Sequence, residues 1–408
     1  MEPVTHLLTG ACLARSGLNR RAAYTTLAMV VAAELPDIDT LWGLRGPIEA
    51  FQHHRGITHT FLGVPFEAAF VLALVYLLHL WRKHRHRDRP SHVASGDITV
   101  TPLIRPLTAA PVRWGVLYGF ALLALLSHLL LDYTNNYGLR PFFPFNARWY
   151  AASIVFIFDP WIFGVLLLGL LTPLIFRLVS AEVGGRRQAF AAPGWSAFAL
   201  LLIAALWGVR WIEHDRALQL AMSQTLEAPQ SLAPATPSES PADTRAPEPE
   251  HLPTYLTARR ALASPDPLSI FRWYTVTDFG PLYQLERADT LQQTLVATEG
   301  TYAKPDPTPA IRAAEASRLG RVYLDWSPMP IIATDSSAGA LEQVVAGTDL
   351  MPPIGGTVVM FRDPRFMGVL PWVGDNPNRK APLGGVVVVD RNQRVVLESM
   401  SGHPEPIR

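Results

Sequence analysis

Residues 112–132 read VRWGVLYGFALLALLSHLLLD, and this stretch decides the fold. Its apolar part, 112–131, holds one arginine near one end and one histidine near the other. As a helix rising ~1.5 Å per residue, a run of this length crosses a hydrocarbon core of about 30 Å. It ends on Ser127-His128-Leu129-Leu130-Leu131-Asp132. The spacing of four sets His128 and Asp132 on one helix face, one turn apart. Two such donors can grip one metal ion, or the acid can orient the imidazole. A polar helix end at a membrane surface is the plainer alternative.

Three further apolar runs, at 62–81, 154–176 and 195–212, have similar lengths. Four spanning helices are therefore expected in a polytopic α-helical membrane domain. Two shorter segments, 3–18 and 22–35, precede them and read as a helical hairpin turning at Asn19-Arg20-Arg21. The second stops at Pro36, which cannot continue a helix. No secretory leader is expected, because Glu2 and His6 stand where a basic segment would lie.

Composition agrees with a membrane part averaged over a soluble part. The chain has 408 residues, 49% hydrophobic and 17% charged, with mean hydropathy +0.17. Disorder is excluded by the low charge and high apolar content. A net charge of +1 offers no broad basic surface, so nucleic acid is not an expected partner. Cys12 is the single cysteine, which excludes an internal disulfide framework.

Residues 226–253 are rich in Pro, Ala, Ser and Glu and read as an extended linker. The chain thus divides into a membrane domain at 1–225, the linker, and a small strand-rich α+β domain at 254–408. Strands are predicted at 271–276, 321–326, 357–361 and 386–389, with one short helix at 310–319. Basic residues, among them Arg20, Arg21, the run Arg82-Lys83-His84-Arg85-His86-Arg87, Arg113 and Arg177, all fall on one side of the alternating spans. Basic loops stay cytoplasmic, so the C-terminal domain is expected on the side of the membrane away from the cytoplasm.

The same topology gathers the chemistry on the outer side. There lie His6, then Glu34-Leu35-Pro36-Asp37-Ile38-Asp39, then His53-His54-Arg55-Gly56-Ile57-Thr58-His59, then His128 to Asp132, and Asp159. Imidazole suits zinc and related ions, and paired carboxylates neutralise divalent charge. The candidate metal ligands are His6, Asp37, Asp39, His54, His59, His128 and Asp132, enough for one or two ions, with zinc the leading identity. Arg55 is the candidate for holding charge on a substrate oxygen, and Glu34 or Asp159 for a base. Asp159 also reads as an N-cap, since Pro160 follows it.

The ordered set Leu35-Pro36-Asp37-Ile38-Asp39, His54-Arg55-Gly56-Ile57-Thr58-His59 and His128 to Asp132 with Thr134 and Gly138 resembles the YdjM/YbcI-like family over residues 1–180. The resemblance implies a bacterial inner-membrane, metal-dependent hydrolase. A looser likeness is to the order of ligands in zinc-dependent phospholipase C and P1 nuclease, with His6, Asp37 or Asp39, His59, His128 and Asp132 in those parts. A second helix pairing His with Glu or Asp downstream is missing. That likeness implies a phosphoester or lipid-like, amphiphilic substrate, attacked by metal-activated water, with membrane lipids as surroundings. Two other classes compete: a non-catalytic anchor that presents the C-terminal domain to a protein partner, and a metal or ion transporter. A transporter needs polar groups along its spans, whereas here they collect at one end.

Overall fold

The computed structural model describes residues 1–87, 106–182, 192–227, 255–346, 348–367 and 383–407. Helix α1 spans Pro3–Arg15 and begins where Glu2 accepts the backbone N–H groups of Val4 and Thr5, at 2.7 and 2.8 Å. Helix α2 spans Thr25–Glu34, and a 3₁₀ segment, Leu35–Arg45, takes over at Pro36. Short helix α3 (Pro47–His53) and the turn Ile57–His59 lead into α4 (Gly63–Arg87). Then come α5 (Trp114–Thr134), α6 (Pro160–Glu182) and α7 (Ala192–Met222).

Small side chains let the first helices approach closely, as in membrane bundles generally. Ala28, Met29, Ala32 and Ala33 of α2 bury against Leu117, Ala121, Ala124 and Leu125 of α5. At Gly10 a Cβ would sit 2.6 Å from the Met29 carbonyl oxygen and 2.8 Å from the Ala33 Cβ. Glycine is thus required where α1 crosses α2.

Among the described residues three helices, not the expected four, are long and apolar enough to cross a membrane: Gly63–Arg85, Trp114–Thr134 and Gly194–Met222. The segment expected at 154–176 is shortened at its front. Val155 bridges Asn135 in extended conformation, and Asp159 then caps α6 by accepting the N–H groups of Trp161 and Ile162 at 3.0 and 3.1 Å. The segment's described apolar part is Pro160–Phe176, the first portion of the 23-residue α6.

Beyond α7 the chain forms antiparallel sheets. Strands β1 (Thr225–Glu227) and β2 (Tyr255–Thr257) pair with each other, joining the first residues of the expected linker to the strand region. Residues 228–254, most of that linker, lie outside the described residues. Four strands, β3 (Arg260–Pro265), β4 (Arg272–Asp278), β5 (Leu282–Asp289) and β6 (Thr294–Ala303), form a meander. Helices α8 (Pro309–Ala316) and α9 (Arg318–Trp326) follow, then β7 (Ile331–Asp335) and α10 (Ala338–Val345). Strands β8 (Thr357–Arg362), β9 (Gly385–Val389), β10 (Val395–Met400) and β11 (His403–Pro406) complete a five-stranded sheet in the order β11-β10-β9-β8-β7.

The strand predicted at 321–326 is instead α9. Ser317 accepts the Gly320 N–H at 3.0 Å and starts a new helix there. Leu319, Tyr323 and Trp326 then recur at helical spacing and are all buried. The predicted strands near 271, 357 and 386 correspond to β4, β8 and β9.

The strand region seats directly on the end of the helical region that carries α3 and the C-terminus of α5. Phe51 of α3 packs edge-on to Trp326 at 5.2 Å, and Tyr137, just past α5, lies 4.9 Å from the same indole. Arg365 donates to the Asn136 carbonyl at 2.9 Å, and Asn136 Nδ2 donates to Ser264 Oγ at 2.7 Å. Ala217 of α7 buries with Ala263, Trp273 and Ala288 of the four-stranded sheet.

Candidate metal centre

Four ligand-type side chains converge at the C-terminal end of α5. Asp37 comes from the 3₁₀ segment after α2, His59 from the turn before α4, and His128 and Asp132 from α5 itself. One ligand atom from each lies within 4.8 Å of all the others. His59 Nε2 is 3.1 Å from His128 Nε2, 3.2 Å from Asp37 Oδ1 and 3.3 Å from Asp132 Oδ2. His128 Nε2 is 3.6 Å from Asp37 Oδ1 and 3.5 Å from Asp132 Oδ2. Ligands about 2.0–2.2 Å from a tetrahedral ion are separated from each other by roughly 3.3–3.6 Å. The five distances bracket that range.

The tautomers also suit a cation. His128 Nδ1 lies 2.7 Å from the Ala33 carbonyl, an acceptor only, so Nδ1 carries the proton. This leaves His128 Nε2 as the nitrogen aimed at the cluster. His59 Nδ1 faces Asp39 Oδ2 at 3.3 Å, so the same logic turns its Nε2 inward. Asp132 Oδ2, fully buried and 3.3 Å from His59 Nε2, makes no hydrogen bond among the described residues. A buried carboxylate oxygen left so is costly unless a cation meets it.

A second layer of groups fixes these donors. Arg55 adopts φ 54°, a left-handed conformation that costs a side-chain-bearing residue about 1–2 kcal/mol. In that conformation its N–H donates to Asp39 Oδ2 at 2.6 Å. Its guanidinium donates to Asp132 Oδ1 at 2.8 Å, to the Gly138 carbonyl at 2.6 Å and to Asn135 Oδ1 at 3.2 Å. Asn135 in turn donates to Asp132 Oδ1 at 3.2 Å. His54 Nδ1 lies 3.2 Å from Asp39 Oδ1. His6 stacks on His128 at 3.7 Å, with its Nε2 3.5 Å from Asp132 Oδ1 and 3.0 Å from the Met1 amino nitrogen. That amino group also contacts Asp132.

Carboxylates outnumber fixed cations here, and the pKa shifts follow. Burial disfavours charge on His59, yet Asp132, Asp37 and Asp39 outweigh it and raise His59 to about 10. Burial likewise pushes Asp37 and Asp39 up. The hydrogen bonds from His59 and, for Asp39, from His54 prevail, so both stay ionised well below the usual carboxylate range. Burial, with Arg55 adding to it, holds His54 below its ordinary value despite Asp39. A divalent cation in the cage would take over the neutralising role of the proton on His59.

Of the candidate ligands, Asp37, His59, His128 and Asp132 meet in the cage; Asp39, His54 and His6 stand directly behind it. Arg55 is turned onto Asp132 rather than left free for a substrate. Glu34 is half-buried, with Oε2 unpartnered among the described residues. Asp159 is committed to capping α6 and to Arg210 at 2.8 Å, both side chains fully buried. Three participants escaped the sequence reading. Asn135 carried a signal, one turn past Asp132. Glu67, whose Oε2 is buried and unpartnered among the described residues, was visible as the one acid in its apolar run. Tyr137, whose ring lies under Arg55 at 4.8 Å, carried none.

Comparison with known proteins places this cluster in a family. The uncharacterized protein YfhP of Bacillus subtilis (strain 168) is 26% identical over 137 residues. The aligned region spans 34% of this chain and 33% of that protein. No solved structure matches the chain. The family model described as YdjM inner membrane protein matches residues 1–217, more than half of the 408, running from α1 into α7 and including every residue of the cage, and the chain belongs to that family.

Proposed function

We propose that the chain is a membrane-bound, metal-dependent hydrolase that acts on a phosphoester or lipid-like substrate at the extracytoplasmic membrane surface. The observation that carries this reading is the cage of two imidazole nitrogens and two carboxylate oxygens, five of its six edges 3.1–3.6 Å long and all donors within 4.8 Å of one another, with the Nε2 atoms of both histidines turned inward. Four donors suit one ion, and nitrogen with carboxylate oxygen suits zinc. A bound ion would supply Lewis-acid polarisation and a lowered pKa for water. The chain's own residues hold the geometry: Ala33 and Asp39 set the imidazoles, and Arg55 and Asn135 set Asp132. Glu34 and Glu67, each with a buried oxygen that has no partner among the described residues, are the candidates for accepting a proton.

The test is elemental mass spectrometry on the detergent-purified full chain, beside a His128→Ala/Asp132→Ala variant, followed by phosphoester and phospholipid hydrolysis assays. One ion per chain, lost in the folded variant together with hydrolysis, is the expected result. No stoichiometric metal after divalent ions are resupplied would overturn the reading in favour of a non-catalytic anchor.

A further inference from the structure

A cleft of about 650 Å³ opens beside the cage, walled by Asp39 and Thr58 on the cage side. Thr58 Oγ1 is 3.1 Å from His59 Nδ1, so the wall is one side chain thick. Arg45 and Arg140 line the cleft from opposite elements, the 3₁₀ segment and the loop after α5. Asp39 is the one acid in the lining, and its oxygens are taken by His54, His59 and the Arg55 N–H. The lining therefore sets two arginines against one acid, and Arg45 has no carboxylate partner among the described residues.

Both arginines are held by aromatic rings. Arg45 lies over Trp42 at 4.8 Å, and makes no ion pair among the described residues. Arg140 lies over Trp149 at 4.6 Å and donates to the Gln52 carbonyl at 3.1 Å. Its Nε is buried with no hydrogen-bond partner among the described residues, and the nearest carboxylate, the half-exposed Asp325, stands 3.8 Å from Nη1. A guanidinium so placed is a ready donor to a phosphate oxygen.

Apolar side chains surround the mouth. Ile38, Leu41 and Ile57 line the cleft and are 47, 59 and 49% exposed; Leu44, beside Arg45, is 87% exposed. The membrane helix α4 starts only four residues beyond His59. Cationic walls inside an apolar rim at the end of a span match an amphiphile with an anionic head.

We propose that this cleft binds the phosphate headgroup of an anionic membrane lipid, with Arg45 and Arg140 on the phosphate and Leu41, Leu44 and Ile57 against the acyl chains. Taking that lipid as the substrate rests on the hydrolytic reading of the adjacent cage; the binding itself does not.

The test is native mass spectrometry of the full chain in neutral detergent, titrated with phosphatidylglycerol and with phosphatidylcholine of the same chains. Inorganic phosphate serves as competitor, and metal content is measured on the same samples. One phosphatidylglycerol per chain, bound in preference to phosphatidylcholine and weakened about tenfold or more in Arg45→Glu, is expected. Arg140→Gln is expected to weaken it too; Arg45 is exposed, so its variant keeps the test decisive if Arg140→Gln misfolds. Unchanged binding in Arg45→Glu overturns the proposal. So does competition by inorganic phosphate at concentrations equal to the lipid, which would mark a free-phosphate site. Metal retained without lipid preference overturns the cleft alone. Lipid preference without metal in the parent supports the cleft and overturns the hydrolase.

Discussion

His59 Nε2 and His128 Nε2 face each other at 3.1 Å, both imidazoles fully buried. Two N–H groups cannot point at each other across that gap, so it holds one proton or one cation. The outer nitrogens are already engaged, by Asp39 and by the Ala33 carbonyl. This pair turns the cluster from a polar helix end into a site that proton and metal compete for.

A pH dependence follows from His59. Its pKa is raised to about 10 in the metal-free fold, against an ordinary value near 6.5. A group so raised contributes stability that is fully present below about 6.5 and is lost as pH rises through about 10. The metal-free protein is therefore expected to melt at progressively lower temperature between those values. The metal-loaded protein, whose His59 has already given up its proton, should be nearly flat over the same window. Thermal unfolding in detergent with chelator or with resupplied divalent ion reads both curves, and parallel curves would contradict the shared site.

The cage and its supporting layer should separate by mutation. His59→Ala, His128→Ala and Asp37→Asn each remove a cage donor and are expected to abolish stoichiometric metal. His54→Ala removes only one of the partners of Asp39, and should weaken affinity by about ten- to a hundredfold while leaving stoichiometry at saturation. Competition against a chromogenic chelator measures this. Equal loss in His54→Ala and His59→Ala would place His54 in the cage.

The strand region should be coupled to the centre through Arg365. Its guanidinium pairs with Asp363 at 2.7 and 2.9 Å, lies over Trp326 at 4.6 Å and donates to the Asn136 carbonyl. Arg365→Ala leaves Asp363 buried and unpaired, a loss of about 3–5 kcal/mol. Residues 135–138, which follow Asp132 and carry acceptors for Arg55, should then lose hydrogen-exchange protection. Protection unchanged in the folded variant would show that α5 and Asn135 hold the segment without help from β8 and its flank.

The sequence carried much of this, for identifiable reasons. Asp37, His59, His128 and Asp132 were legible because proline, glycine and a spacing of four set their local geometry without tertiary help. Which donors form the cage was not legible, because His54 and His59 differ only in which way the turn at Arg55 sends them. Arg55 was read as a substrate contact because nothing local says that Asp132 lies within its reach. Residues 321–326 passed for a strand because Val, Tyr and Trp favour strands locally, whereas burial of Leu319, Tyr323 and Trp326 against the sheet and α3 selects the helix.

The last expectation concerns Gly10, which bears no donor itself. A Cβ there meets the Met29 carbonyl oxygen at 2.6 Å and the Ala33 Cβ at 2.8 Å, both on α2. Backbone cannot yield as a flexible side chain would, so Gly10→Ala must push α1 and α2 apart, at a cost of about 1–3 kcal/mol. The displaced turn of α2 bears the Ala33 carbonyl that holds His128 Nδ1 at 2.7 Å. Once that acceptor withdraws, the imidazole can place its proton on Nε2, where it blocks the cage. Gly10→Ala is thus expected to lower the unfolding temperature and weaken metal affinity together, although it removes no ligand. A variant that melts early yet binds metal with unchanged affinity would show that the Ala33 carbonyl does not set the tautomer of His128.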